Sequence, residues 1–303
     1  MNMMHKQRLI AIIGPTCSGK SAYAVELAKQ IGGDIISADS RQVYKGLDIG
    51  TGKVTKKEMG GVRHYLLDVA SPKRQFSAFD FDKKARSAIE QIVQRGRVPI
   101  ICGGTGFYID TLTGRIQIPQ VKIDPALRTR LEEMETAKLV RLLEKSDPER
   151  ALNIDQHNRR RLVRAIEISF AKKQTTIQPP LAFETSFETY WVGLMPHKEV
   201  LRERITLRLH ARLKRGMVRE VQKLLKLKVS HKRLAALGLE YRFISDYVQK
   251  KTSKVDMVRL LDIAIWHYAK RQITYWRRNK DIHWFDPTDT KNATTEVTKW
   301  LTS

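Results

Sequence analysis

Gly14-Pro15-Thr16-Cys17-Ser18-Gly19-Lys20-Ser21 follows an apolar run at residues 9–13 and leads into an amphipathic stretch at residues 21–30. No other feature constrains the fold as much. The spacing G-x-x-x-x-G-K-S between those two patterns predicts a strand, a tight turn and a helix whose N-terminus faces the turn. Successive backbone N–H groups then surround a phosphate, Lys20 neutralises it, and the Ser21 hydroxyl reaches Mg2+. The motif predicts a diphosphate or triphosphate ligand and is silent on its fate. Phosphoryl-transfer enzymes of this kind add a strand-end acid that handles Mg2+. Here the acids near the ends of apolar runs are Asp39 and Asp68, and neither stands in a convincing setting for that role.

The first hundred residues alternate apolar runs (9–13, 34–38, 65–69 and 98–102) with amphipathic stretches (21–30 and 79–95). Unbroken apolar strands between helices predict a parallel sheet covered on both faces, an α/β core. From residue 115 to 190 the strand signals vanish. Asp124-Pro125 opens a helical pattern through Leu127, Leu131, Leu139, Leu142 and Leu143, with Asp124 as N-cap and Pro125 at the first helical position. A second helix is expected over residues 161–170, and residues 174–180, rich in Thr, Gln and Pro, are expected to form an exit loop. A strand at 190–195 stops at Pro196, before a long basic helix over residues 197–227. Helical patterns continue to residue 280. The expected organisation is a P-loop NTPase-like core from residues 1–114 and 191–303, carrying a helical insertion at 115–190 and a basic helical C-terminal region.

Ligands of open parallel sheets bind beyond the carboxyl ends of the strands. Three such ends carry the phosphate loop, then Asp39-Ser40-Arg41-Gln42, then Gly103-Gly104-Thr105-Gly106. Asp39 suits either a general base toward an exocyclic amine or a turn cap. The paired glycines allow close backbone approach to a ligand, and the Thr105 hydroxyl is placed to donate. Lys53 reads as a solvated loop residue, and His64 and Asp68 read as structural.

The net charge of +24 points to a polyanionic partner. Residues 191–303 hold 25 Lys and Arg against 11 Asp and Glu, so most of the surplus lies along predicted helices and not in a tail. Arg204, Arg208, Arg212 and Arg215 recur on one helical side. Arg159, Arg160, Arg161 and Arg164 form a second cluster. Residues 270–278 mix cations, donors and aromatics, as nucleic-acid surfaces do, although Trp276 and Tyr275 also suit a core. Trp266, in step with Leu260 and Ile263, reads as core. Two cysteines, Cys17 and Cys102, exclude a disulfide scaffold and a zinc site. No stretch approaches the roughly 20 apolar residues of a membrane span, and the N-terminal pattern is not that of a signal peptide. A cytoplasmic protein is expected.

The segments GPTCSGKS, ISADSRQVYKGLDIGTGK, HYLLDV, GGTGFY, RRLVRAIE and KRQITYWRR, from residue 14 to 278, resemble those of tRNA dimethylallyltransferases of the bacterial type, in order and approximate spacing. The resemblance implies that dimethylallyl diphosphate sits with Mg2+ in the loop Gly14 to Ser21, held also by Arg208. It implies that Asp39 is the base for adenine N6 and that Thr105 assists. It further implies that the adenine lies 3′ of the anticodon and is flipped out of its stack. Contacts with the tRNA anticodon stem-loop are implied at Asp39, Ser40, Arg41, Gln42, Thr105, Arg128, Arg160, Arg161, Leu162, Val163 and Arg164. Others are implied at Lys270, Arg271, Gln272, Ile273, Thr274, Tyr275, Trp276 and Arg277. A monomer is expected. The chain departs from the family at Gly238-Leu239-Glu240-Tyr241-Arg242, where Gly-Tyr-Lys-Glu is usual.

Two other enzymes share parts of the pattern. A small-molecule P-loop kinase needs neither the insertion nor the basic clusters, and an adenylate isopentenyltransferase has no use for the basic last third. A non-catalytic RNA-binding protein explains the charge but not Lys20, Ser21 and Asp39 at adjoining strand ends.

Overall fold

The computed structural model describes residues 6–119, 121, 124–174 and 187–303. The chain divides into two compact units, Met1–Ile116 with Thr185–Ser303, and Gln117–Glu184. The dividing points lie two and six residues from those expected at 115 and 190. The exit loop expected at residues 174–180 falls outside the described residues from 175 onward.

The first unit opens with β1 (Gln7–Ile13), α1 (Lys20–Ile31), β2 (Gly33–Ser37), α2 (Lys56–Met59), β3 (His64–Tyr65), α3 (Ala78–Gln94), β4 (Val98–Gly103) and α4 (Gly106–Leu112). The second unit holds α5 (Pro125–Glu133), α6 (Thr136–Ser146), α7 (Pro148–Asn153) and α8 (Arg159–Gln174). The chain returns to the first unit through β5 (Phe187–Leu194), α9 (Lys198–Lys214), α10 (Met217–Lys226) and α11 (His231–Leu237). It finishes with α12 (Leu239–Val248), α13 (Lys254–Trp276), β6 (Ile282–Phe285) and α14 (Thr290–Thr302). None of the described helices is long and apolar enough to cross a membrane.

The six strands form one parallel sheet in the order β3-β2-β4-β1-β5-β6. Strand β1 shows why both faces must be covered. Leu9, Ala11 and Ile13 point into one core with Phe81, Ile89, Trp191 and Trp276. Ile10 and Ile12 point into the other, with Tyr23, Leu27, Val192 and Val297. A period of two with every residue apolar produces this outcome, and each such Leu or Ile side chain contributes about 1.5–3 kcal/mol on burial. A third core, free of strands, packs Val43, Tyr44 and Leu47 against α9 to α13.

Register then positions the site. Ile13 pairs with Gly103 and Ser37 pairs with Cys102, so the segments after β1, β4 and β2 leave the sheet at one level and side by side. The strand expected at residues 65–69 is only His64–Tyr65, because Leu66 and Asp68 take positive φ values of 63° and 57° and turn the chain away. The helix expected over residues 197–227 is two helices. Gly216, at φ 100°, breaks it in a conformation that L side chains rarely adopt.

In the second unit Asp124 caps α5 by accepting from the N–H groups of Ala126 and Leu127, with Pro125 at the first position, as the sequence implies. Leu131, Leu139, Leu143, Leu162 and Ile166 form the core of that unit.

Candidate active site at the strand ends

Helix α1 begins at Lys20, directly after Gly19, and no side chain caps its N-terminus. Its first N–H groups therefore lack the acceptor that helix ends otherwise recruit, and they face the loop. Ser18 is fully buried and its Oγ has no partner among the described residues. An uncapped helix start beside an orphaned buried hydroxyl is the arrangement an anion completes. Lys20 Nζ donates to the Pro15 carbonyl at 2.9 Å, and burial holds its ammonium below the usual lysine range, with the Arg208 charge adding to the effect. Arg208 reaches the same loop from α9, its Nη1 lying 3.6 Å from Cys17 Sγ. Two cations thus converge on the loop, and among the described residues no carboxylate is ion-paired to either.

Of the four arginines expected along one helical side, Arg215, the C-cap of α9, is exposed and Arg212 is buried. Arg212 donates to the carbonyls of Gly50 and Thr51 and pairs with Glu240 Oε1 at 3.4 Å. Burial and Arg208 together push its guanidinium down to about 10, so it keeps its charge at neutral pH. Glu220 of α10 accepts from the N–H groups of Asp48, Ile49 and Gly50 at 2.7–2.9 Å and from Tyr241 Oη. The loop between residues 48 and 53 is thereby held against α9 and α10. Lys53 is a correction to the sequence reading. Its side chain is 6% exposed and bonds Asp48, Asp68 and the Tyr44 carbonyl, so it is structural and not solvated. The divergent segment at Gly238 to Arg242 supplies Glu240 and Tyr241 to this same scaffold, and burial raises the Glu240 carboxyl against the opposing influence of Arg212.

Asp39 serves the turn and retains a free oxygen. Its Oδ1 accepts from the N–H groups of Arg41 (2.8 Å) and Gln42 (3.3 Å), while Oδ2 has no partner among the described residues. Thr105 Oγ1 accepts from the Ser40 N–H at 3.0 Å and the Thr105 N–H donates to the Ala38 carbonyl, so the third strand end holds the second. The Thr105 hydroxyl proton remains free to donate. Asp39 also lies within electrostatic reach of Lys20. The arrangement sets a half-engaged carboxylate beside an anion cradle, suited to removing a proton from a group that attacks a phosphate-bearing ligand.

The basic clusters divide by burial. In the second unit Arg128 forms a bidentate pair with Glu167 at 2.6–2.7 Å, Arg164 bonds the same carboxylate, and Arg159 bonds Thr136 and two carbonyls. Arg160 and Arg161 are exposed, with no side-chain partner among the described residues. Leu162 and Val163 are buried in that unit's core, so their side chains are not available for the contact the resemblance implies. On α13, Lys270, Arg271 and Thr274 are exposed, as is the C-cap Arg277, and Tyr275 is half-buried, with Arg278 stacked 3.9 Å from its ring centroid. His267, Lys270, Arg271, Thr274, Tyr275 and Arg278 line an open cationic cavity of about 430 Å³.

The Trp276 side chain is turned away from the RNA contact that the resemblance implies. It is 1% exposed and packs with Trp191 at 6.1 Å between centroids, under the sheet. Gln272 and Ile273 face inward as well. Leu260 and Ile263, expected in the core, are 38% and 41% exposed, while Trp266 packs only partly. The sequence reading missed Glu220, Arg212 and Glu240 as site supports. A Glu that binds three successive N–H groups 170 residues away leaves no local signal.

The family described as IPP transferase matches residues 42–279. A tRNA dimethylallyltransferase 2 of Shewanella sediminis is 43% identical over 285 residues, spanning 93% of this chain and 94% of the relative. A tRNA dimethylallyltransferase of Bacillus anthracis is 35% identical over 305 residues, spanning 98% and 96%. The crystal structure of a tRNA isopentenylpyrophosphate transferase from Bacillus halodurans shares the fold with a TM-score of 0.73 at 32% identity, covering 98% of this chain and 96% of that one. A eukaryotic dimethylallyltransferase acting on tRNA shares it with a TM-score of 0.78 at 24% identity, covering 97% and 77%. The family match takes in the third strand end and the helices α9 to α13, the relatives extend over nearly the whole chain, and the chain belongs to the IPP transferase family.

Proposed function

We propose that the protein transfers a dimethylallyl group from dimethylallyl diphosphate to N6 of the adenine 3′ of the anticodon in tRNA, releasing diphosphate. The observation that carries this reading is Asp39, whose Oδ2 is free beside the phosphate loop while Oδ1 fixes its turn. In the reaction a bond forms between N6 and the first carbon of the donor, and the bond from that carbon to the diphosphate oxygen breaks. Asp39 Oδ2 takes the N6 proton, and the diphosphate leaves with the electron pair into the cradle of α1 N–H groups, Lys20 and Arg208. The free Thr105 proton is placed to steady an oxygen or a ring nitrogen at the reaction centre. The adenine must leave its stack for N6 to line up behind the allylic carbon.

Ser21 is exposed in the first turn of α1, and the described residues include no group of three His, Cys, Asp or Glu able to hold a metal. That donor set fits Mg2+ that enters with the diphosphate, held by the Ser21 hydroxyl and phosphate oxygens. Bound there, Mg2+ would neutralise part of the leaving-group charge. The tRNA acceptor is supported by the exposed arginines at Arg160, Arg161, Arg271 and Arg277 and by what the relatives act on.

The test separates prenyl from phosphoryl transfer. Incubation with dimethylallyl diphosphate, Mg2+ and unmodified tRNA should release diphosphate and label the tRNA in equal amounts, whereas ATP in place of the donor should yield no phosphorylated product. ATP turnover with no label on tRNA would overturn the proposal.

A further inference from the structure

The side chain of Gln272 belongs to the segment expected to contact tRNA, yet it is 6% exposed and points the other way. Its Oε1 accepts from the Thr16 N–H of the phosphate loop at 2.8 Å, and its Nε2 donates to the Gly104 carbonyl at 2.9 Å. Gly104 precedes Thr105, which holds Ser40 and hence the Asp39 turn. One amide thus completes a chain of contacts from the donor loop, through the third strand end, to the proton acceptor. The contact leaves no room for a side chain at position 104, since a Cβ on Gly104 would run into the Gln272 amide nitrogen. A buried amide with one oxygen and one nitrogen engaged in opposite senses is a fixed-length strut, which neither Met nor Glu reproduces.

We propose that Gln272 is a positioning residue, setting the separation between the donor diphosphate and the Asp39 carboxylate. The inference rests on the prenyl-transfer reading above. The same helix carries Lys270, Arg271 and Thr274 on its exposed face, so the strut also ties the RNA-facing side of α13 to the donor loop.

The test uses the full chain with dimethylallyl diphosphate, Mg2+ and tRNA, and the wild-type protein is the control: no transfer by it would sink the functional reading and leave Gln272 unaddressed. Gln272→Met keeps the length and removes both bonds. Gln272→Glu keeps the acceptor and loses the donor. Each should slow single-turnover transfer at saturating substrates by about tenfold or more, the scale of a small misplacement of reacting groups, while the tRNA Kd stays within about threefold. Gly104→Ala, which displaces the amide, should slow transfer similarly. Adding it to Gln272→Ala should cost much less than the product of the two single effects, because both remove the same strut. Two results would overturn the proposal. One is a raised tRNA Kd with an unchanged saturated rate, which would make Gln272 an RNA contact. The other is full additivity of Gly104→Ala with Gln272→Ala in proteins that remain folded.

Discussion

Asp39 carries two duties on two oxygens, and the division makes its substitution informative. Asparagine retains Oδ1 as an acceptor for the Arg41 and Gln42 N–H groups, so the turn survives. What is lost is an oxygen able to take a proton. Asp39→Asn should therefore slow single-turnover transfer by about 10²-fold or more, with donor and tRNA affinities held within about tenfold, since the missing interaction belongs to the transition state. The melting temperature should not move. A folded Asn variant with near-normal chemistry would reduce Asp39 to its structural duty. Arg208 belongs to the leaving group, in contrast. Its guanidinium borders the phosphate loop at Cys17, and Arg208→Ala should raise the donor KM by about tenfold or more, the scale of a charge-assisted hydrogen bond. An unchanged KM would place the diphosphate elsewhere.

Helix α13 is where the element scale decides function, because its opposite sides do different work. Trp276 and Gln272 face the core, and Arg271, Thr274 and Arg277 face solvent. Trp276→Ala should destabilise the fold by about 3–5 kcal/mol, whereas Arg271→Ala should leave stability within about 0.5 kcal/mol. Chemical denaturation of both variants checks the pair, and equal effects would contradict the facing described. The break between α9 and α10 is also specific, and Gly216→Ala should cost about 1–2 kcal/mol from its positive φ. Strands β1, β2 and β4, the phosphate loop and the Asp124 cap were legible in the sequence, because apolar runs, glycine spacing and capping residues act locally. Strand β6 was not, since His283 and Trp284 interrupt its apolar pattern at the edge of the sheet. Nor was the early end of β3, which depends on positive φ values at ordinary residues. The site divides in the same way. Lys20 and Asp39 could be read from what precedes them, but the duties of Glu220, Arg212 and Gln272 lie in partners 160 to 260 residues distant.

Across the whole molecule, charge and burial together say which part of the +24 is available to a polyanion. Arg128 and Arg164 neutralise Glu167, and Arg159 and Arg212 hold backbone carbonyls. Of the cations expected to meet tRNA, Arg160, Arg161, Lys270, Arg271 and Arg277 are exposed. If Arg161 and Arg271 each meet a phosphate, then Arg161→Ala and Arg271→Ala should each weaken tRNA binding and lower the slope of log Kd against log salt by roughly 0.7 to 0.9. Unchanged slopes would make these side chains ordinary solvated groups. Where the prenyl group arrives distinguishes a tRNA prenyltransferase from an enzyme of free nucleotides. Unmodified tRNA treated with the protein, dimethylallyl diphosphate and Mg2+ can be digested to fragments and read by mass spectrometry. The predicted result is a single prenyl-sized gain on the anticodon-loop fragment, at N6 of the adenine 3′ of the anticodon, with free adenosine monophosphate modified far more slowly. Prenylation of the free nucleotide as fast as tRNA, or a gain on any other fragment, would contradict it.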